Sequence, residues 1–191
     1  MSVIKSLQLS HYRNYEQAAL DHIHDRFVVL YGANGAGKTN MLEAASLFTP
    51  GRGLRRAKYQ DLQNVDHASV PWALSARIDT RYGEVRVGTG RQDQQDKRIV
   101  KIQGEAVPQN RLSEYLSCIW LTPQMDRLFL DPAATRRRFL DRLVMTFDPG
   151  HSGRVTRFEN AMRQRSKLLQ EGKNDPSWLE GLEGTMAESA G

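Results

Sequence analysis

The run Phe27-Val28-Val29-Leu30-Tyr31 passes directly into Gly32-Ala33-Asn34-Gly35-Ala36-Gly37-Lys38-Thr39, and no other stretch limits the possible folds so narrowly. The spacing is G-x-x-x-x-G-K-T, in which each fixed position has a mechanical reason. Gly32, Gly35 and Gly37 let the backbone take positive φ and approach an anion, so that successive N–H groups, those of Ala33, Asn34 and Ala36 among them, can point at phosphate oxygens. Lys38 brings an ammonium to the β/γ-phosphates and Thr39 a hydroxyl to Mg²⁺. Residues Asn40 to Phe48 carry apolar side chains at helical spacing, so a helix N-terminus adds its partial positive charge to the same place. A glycine-rich turn with a surface lysine would also satisfy the loop pattern. It would not require a buried strand before the loop and an amphipathic helix after it, and both are predicted here.

With 191 residues, 39% hydrophobic and 26% charged, the chain has the composition of a globular protein, large enough for one big domain or a domain and part of another. No run of about 18 apolar residues predicts a membrane span. The N-terminus lacks an apolar segment with a cleavage site, so a cytoplasmic location is expected. Cys118, the only cysteine, is expected to be a core thiol in a buried strand from Cys118 to Leu121. The five histidines show no metal-ligand spacing; His22 and His24 are expected to share one face of a strand. The net charge of +5 is a mild pointer to a polyanionic partner, and its distribution says more. Arg52, Arg55, Arg56 and Lys58 cluster after the first helix, Arg136, Arg137, Arg138 and Arg142 later, and Arg154 to Lys167 supply a third group.

Alternation predicts two short strands, Val3 to Leu9 and Gln17 to Ile23, joined through Tyr12-Arg13-Asn14-Tyr15 and lying antiparallel beside the strand that feeds the loop. Trp72 to Thr80, a partner through Val85 and Val87, and Ile99 to Ile102 predict an antiparallel meander, with turns at Tyr82-Gly83 and Gly90 to Lys97. A short helix is predicted from Pro108 to Leu116 and a loop with a helical turn from Pro123 to Leu130. From Asp131, which can cap a helix with Pro132 at its first position, the chain turns helical: one helix to Phe147, one from about Ser152 to Gln170, and one beginning at Asp175-Pro176-Ser177. The expected division is therefore 1–130, mixed α/β, and 131–191, helical.

Several separated motifs together resemble the RecF family of bacterial recombination and repair ATPases, related to SMC and Rad50 heads. Leu9-Ser10-His11-Tyr12-Arg13-Asn14-Tyr15 is similar to the family's opening L-x-x-F-R-N-Y, and Asn34 to Ala44 to its N-G-x-G-K-T-N-x-L-E-A. Gly51-Arg52-Gly53-Leu54-Arg55 resembles G-R-S-x-R with Gly53 in place of serine, and Pro123-Gln124 and Arg136-Arg137-Arg138-Phe139-Leu140-Asp141 resemble the P-E/Q loop and R-R-R-F-L-D. The resemblance implies the α/β fold of a P-loop NTPase, the N-terminal half of an ABC-type ATPase head with an antiparallel meander, followed by a helical lobe. It implies ATP and Mg²⁺ as cofactors, Arg13 and Asn14 near the nucleotide, and Gln124 as a Q-loop residue that shares Mg²⁺ with Thr39. At the level of function it implies DNA binding, ATP-controlled dimerisation, RecR, RecO and RecA as partners at gaps, and SOS induction. Arg55, Arg56, Lys58, Arg136, Arg137 and Arg138 are candidate DNA contacts, and a solvated charged face with local ion pairs is the competing reading.

Two elements of such a head are missing: an apolar strand ending in paired acids and an S-x-G-Q/G signature. The chain is therefore expected to be the N-terminal portion of a longer protein, with an exposed sheet edge and negligible turnover by itself. A P-loop kinase of nucleotides or small metabolites is the alternative, disfavoured by the antiparallel strands around the loop. A binding module with a vestigial nucleotide site fits less well, because Lys38 and Thr39 are both present.

Overall fold

The structure, a computed structural model, describes residues 2–67, 69–92, 97–172 and 175–190. The chain divides into two compact units, residues 1–120 and 121–191.

Among its described residues the first unit is one antiparallel sheet with one α-helix packed on it. Its strands are β1 (Val3–Tyr12), β2 (Tyr15–Leu20), β3 (Ala73–Thr80), β4 (Gly83–Arg91), β5 (Arg98–Ile102) and β6 (Glu105–Val107), in spatial order β2-β1-β3-β4-β5-β6. Period-two alternation turns Leu7 and Leu9 of β1, Leu74, Ala76 and Ile78 of β3, Val87 of β4, and Val100 and Ile102 of β5 to one face. Against that face lie Met41, Ala44, Leu47 and Phe48 from the helix α1 (Lys38–Ser46) and the turn after it. Register pairs Leu9 with Leu74 and Ala76 with Val87, so the apolar residues of neighbouring strands meet side by side. Trp72 is fully buried, with its indole N–H donating to Tyr59 O at 2.7 Å and its ring edge-on to Tyr12 at 5.8 Å.

The predicted meander is present, and β6 extends it with a strand that sequence periodicity missed; three residues are too few to show a period. Gln103 and Gly104, both at positive φ, make the two-residue connection that matches strand twist in a hairpin. The predicted turn from Gly90 to Lys97 lies partly outside the described residues. The helix predicted from Pro108 is a 3₁₀ segment, Gln109–Glu114.

Three expectations are corrected. Residues Phe27 to Tyr31 form no strand among the described residues and are not buried: Phe27 is 83% exposed, Val29 80% and Tyr31 92%. The first two strands accordingly neighbour each other and β3, and not a strand that feeds the loop. An apolar run becomes a buried strand only where other strands supply hydrogen-bond partners, and none of the six described strands pairs with this one. The second strand ends at Leu20, and His22, at φ 54°, breaks the extended backbone, so His22 and His24 share no strand face. Cys118 is half-buried in an irregular segment, with Ile119 and Leu121 exposed, where a buried strand was expected.

The second unit opens with a 3₁₀ turn, Pro123–Arg127, followed by α2 (Ala133–Met145), α3 (His151–Gln170) and α4 (Pro176–Ala190). Pro132 stands at the N-cap of α2 rather than inside its first turn, and no side chain caps that end, so the predicted role of Asp131 is not realised. Asp148-Pro149-Gly150 does separate α2 from α3: the Asp148 carboxylate accepts from Gly150 N and pairs with Arg154. Asp175 caps α4 through Ser177 N and Trp178 N. Arg165 on α3 joins Glu183 on α4 at 2.7 Å, and the Arg137 guanidinium of α2 lies over the Phe158 ring of α3. No helix of the described residues is long and apolar enough to cross a membrane.

Candidate functional site

The glycine-rich loop is exposed from Gly32 to Ala36 and becomes buried at Gly37, where α1 begins. Gly32, Gly35 and Gly37 have φ of 145°, 85° and 94°, the conformations expected from the pattern. At Gly37 a second reason for glycine appears: a Cβ there would stand 2.4 Å from Tyr15 Oη and 2.9 Å from Asn14 Nδ2. Helix α1 has no side-chain cap at its N-terminus, so its first N–H groups are left for another acceptor. The Lys38 ammonium donates to Gly32 O at 2.8 Å and Ala33 O at 2.7 Å, which keeps the charge within the loop, and Thr39 is exposed one residue further on.

The Arg13-Asn14-Tyr15 turn between β1 and β2 lies against this loop. Tyr15 Oη donates to Ala36 O at 3.4 Å, and Asn40 Nδ2 donates to Asn14 Oδ1 at 2.7 Å. Arg13 forks onto the Glu43 carboxylate of α1 with Nε and Nη2 both at 2.9 Å, while its Nη1 donates to Asp61 O. Arg55 reaches the same helix from the following loop, its Nη1 2.7 Å from Asn40 Oδ1 and 3.2 Å from Glu43 Oε2. Burial works against the charge on Arg13, but the Glu43 contacts outweigh it and raise its pKa. Tyr12, fully buried beside this pair, has its phenol pushed up by burial first and by the Glu43 carboxylate second; its hydroxyl has no hydrogen-bond partner among the described residues.

The far end of α1 is held by a buried arginine from the meander. Arg98 on β5 donates to Leu47 O, to Gly51 O at 2.8 Å and to Thr89 Oγ1 at 2.7 Å, which places a cation at the negative end of the helix. Burial pushes its guanidinium down to about 10.

The structure places Asn14 against Asn40 of α1, and Arg13 grips an acid of the same helix. Arg55 is paired with Glu43 and Asn40 rather than free on a charged face. Arg56 and Lys58 are exposed nearby. In the second unit Gln124 is exposed in the 3₁₀ turn; Arg136 donates to Asp131 O, Arg137 lies 3.9 Å from Asp141, and Arg138 donates to Thr135 Oγ1, and all three are exposed. Glu43, Asn40 and Arg98 carry structural weight that sequence reading assigned to none of them. The legible signal was a carboxylate within the apolar face of a helix, at Glu43 between Met41 and Ala44. Among the described residues no group of three or more His, Cys, Asp or Glu side chains could hold a metal.

A glycine-rich loop opening a helix inside an antiparallel sheet, followed by a helical unit, defines the class: the N-terminal part of an ABC-type P-loop ATPase head. Residues 3–127 match the family described as the RecF/RecN/SMC N terminal domain, and the chain belongs to that family. It is similar to the DNA replication and repair protein RecF of Rhizobium leguminosarum bv. trifolii (strain WSM2304), 49% identical over 187 residues that make up 96% of this chain and 50% of that one. RecF of Agrobacterium fabrum (strain C58) is 46% identical over 97% of this chain and 50% of its own. The chain spans about half the length of the curated relatives it matches. Its fold is that of a solved recombination mediator protein, RecF with ATP in the RecFOR pathway: TM-score 0.81, 21% identity, 98% of this chain and 51% of that one. With the family established and the sheet antiparallel throughout, the kinase alternative has no support.

Proposed function

We propose that this chain is the nucleotide-binding part of a RecF-type protein that binds ATP and DNA in DNA replication and recombinational repair. The observation that carries the reading is an intact G-x-x-x-x-G-K-T loop in a chain 49% identical to a protein named RecF. Gly32 to Thr39 hold the phosphates, with Arg13 and Asn14 bracing the loop, and residues 1–130 form the ATPase lobe to which 131–191 add the start of a helical lobe. Mg²⁺ suits the donors present, since it takes one or two protein oxygens and completes its shell with water and phosphate oxygens. Thr39 would supply the hydroxyl, and the bound ion would neutralise phosphate charge. Glu43, the buried acid on the loop's own helix, is engaged by two arginines and is not placed to activate water. The proposal includes negligible turnover by these 191 residues, because no apolar strand ending in paired acids is read in them.

In this reading the protein acts in the cytoplasm, dimerises under control of ATP and meets RecR, RecO and RecA at gapped DNA, supporting RecA loading and SOS induction. Arg55, Arg56 and Lys58 on the first unit and Arg136, Arg137 and Arg138 on the second are the candidate phosphate contacts.

Filter binding of labelled ATP with and without duplex DNA, at two salt concentrations, tests the proposal. ATP retention abolished by Lys38→Ala, together with DNA retention that falls steeply with salt, is the expected result. Equal ATP retention by parent and Lys38→Ala would overturn the nucleotide assignment.

A further inference from the structure

We propose that Glu43 is a positioning residue for the phosphate loop: its buried carboxylate fixes the Arg13-Asn14-Tyr15 turn against Ala36 and Gly37, and the order of the loop depends on it. The loop exits into α1, so a group anchored on α1 at Glu43 is rigidly tied to the loop's second half. A carboxylate taken fully out of water requires partners that satisfy both oxygens, and Glu43 has them in the Arg13 fork and in Arg55.

The fork does more than neutralise charge. Arg13 stands at φ 55°, a left-handed backbone that a non-glycine residue holds only where its surroundings over-determine it. The guanidinium on Glu43 and Asp61 O, and Arg13 N on Leu62 O, do so. That backbone presents the next two side chains to the loop: Asn14 meets Asn40, and Tyr15 Oη meets Ala36 O and fills the space beside Gly37. Asn40 then passes the connection to Arg55, which returns to Glu43. The contacts close a ring of five side chains, Glu43, Arg13, Asn14, Asn40 and Arg55, with the loop at its rim. A purely structural ion pair would serve the sheet as much as the loop. This one links the turn, the loop's helix, the loop that carries Arg55 and, through Asp61 O, the short segment after it, and none of these bonds goes to β3, β4, β5 or β6.

The assignment rests on the nucleotide reading only for its effect on affinity; the ordering of the loop is measured without ligand. Glu43→Gln keeps the shape and removes the charge. In the 191-residue chain the ¹⁵N backbone order parameters of Ala36 and Gly37 should fall from about 0.85 to below about 0.6, with those of β3 and β4 unchanged. Retention of Mg-ATP should weaken at least about tenfold, the scale of one lost charged hydrogen bond. If Glu43→Gln does not fold, Arg13→Lys, which keeps the charge but cannot fork, gives the same readout. Unchanged loop order parameters, or a fall shared equally by the sheet, would overturn the proposal. Loss of loop order in a chain whose parent retains no Mg-ATP would sink the nucleotide reading and leave the Glu43 assignment standing.

Discussion

Arg13 meets Glu43 side-on, Nε and Nη2 each 2.9 Å from a different carboxylate oxygen, and the acid keeps only 1% of its side chain exposed. Arg55 approaches the same carboxylate through a single nitrogen at 3.2 Å, with 42% of its side chain exposed. The two arginines are therefore unequal. Removing Arg13 leaves a buried anion with one long contact, whereas removing Arg55 leaves the fork intact. Arg13→Ala should cost about 3 kcal/mol and Arg55→Ala no more than about 1 kcal/mol in urea unfolding at neutral pH. Equal losses would show that the fork is not the principal partner.

Gly37 faces two constraints at once, a φ of 94° and the Tyr15 ring in the direction a Cβ would take. Gly37→Ala should cost about 2 kcal/mol, from backbone strain and overpacking together. Only the second component depends on Tyr15. In a Tyr15→Ala background the same change should cost about 1 kcal/mol, the part left by the backbone and by the movable Asn14 amide. A double-mutant cycle by thermal or urea unfolding reads the difference, and an additive cycle would rule out the steric account.

Period-two alternation was legible wherever one face of a strand is buried, and so β3, β4 and β5 were readable from Leu74, Ile78, Val87 and Val100. The loop was legible because its glycines and Lys38 are constrained by local geometry alone. Phe27 to Tyr31 misled for the complementary reason: hydrophobicity records what a segment can bury, not whether hydrogen-bonding neighbours stand beside it. The ring around Glu43 joins residues 13, 14, 40, 43 and 55, and no local pattern brings such positions together. Only the acid within an apolar helix face hinted at it.

The apolar run supplies its own test. Val29 is 80% exposed, while Leu30 beside it packs against the core cluster. Val29→Lys should leave the unfolding free energy within about 0.5 kcal/mol of the parent. Leu30→Ala should cost about 2 kcal/mol, since the side chain is only partly buried. A large loss at Val29 would mean that the run is covered in solution by something other than the described residues, and concentration-dependent sedimentation of the parent would then identify self-association as the cover.

Arg98 carries the last prediction because its burial fixes the sign of a pH effect. Its guanidinium is pushed down to about 10, chiefly by loss of water, while in the unfolded chain it keeps the higher, ordinary arginine value. Below about pH 10 both states hold the proton, the burial cost is fully present, and Arg98 adds no slope. Above about pH 10, until the unfolded chain too begins to lose the proton, the unfolded chain holds more protons than the folded one, so stability attributable to Arg98 rises with pH. Arg98→Met keeps the aliphatic stem but strips the cation from Leu47 O and Gly51 O at the end of α1. It should cost about 2 kcal/mol at pH 7, the scale of carbonyls left without partners in the interior. Urea midpoints of parent and variant at pH 7 and near pH 11 separate the two effects. The gap should widen at the higher pH, because the parent gains stability there and the methionine variant does not. A gap that narrows would mean that the folded state holds the Arg98 proton more tightly than the unfolded chain, and that the carbonyls of α1 stabilise the cation beyond what burial costs it.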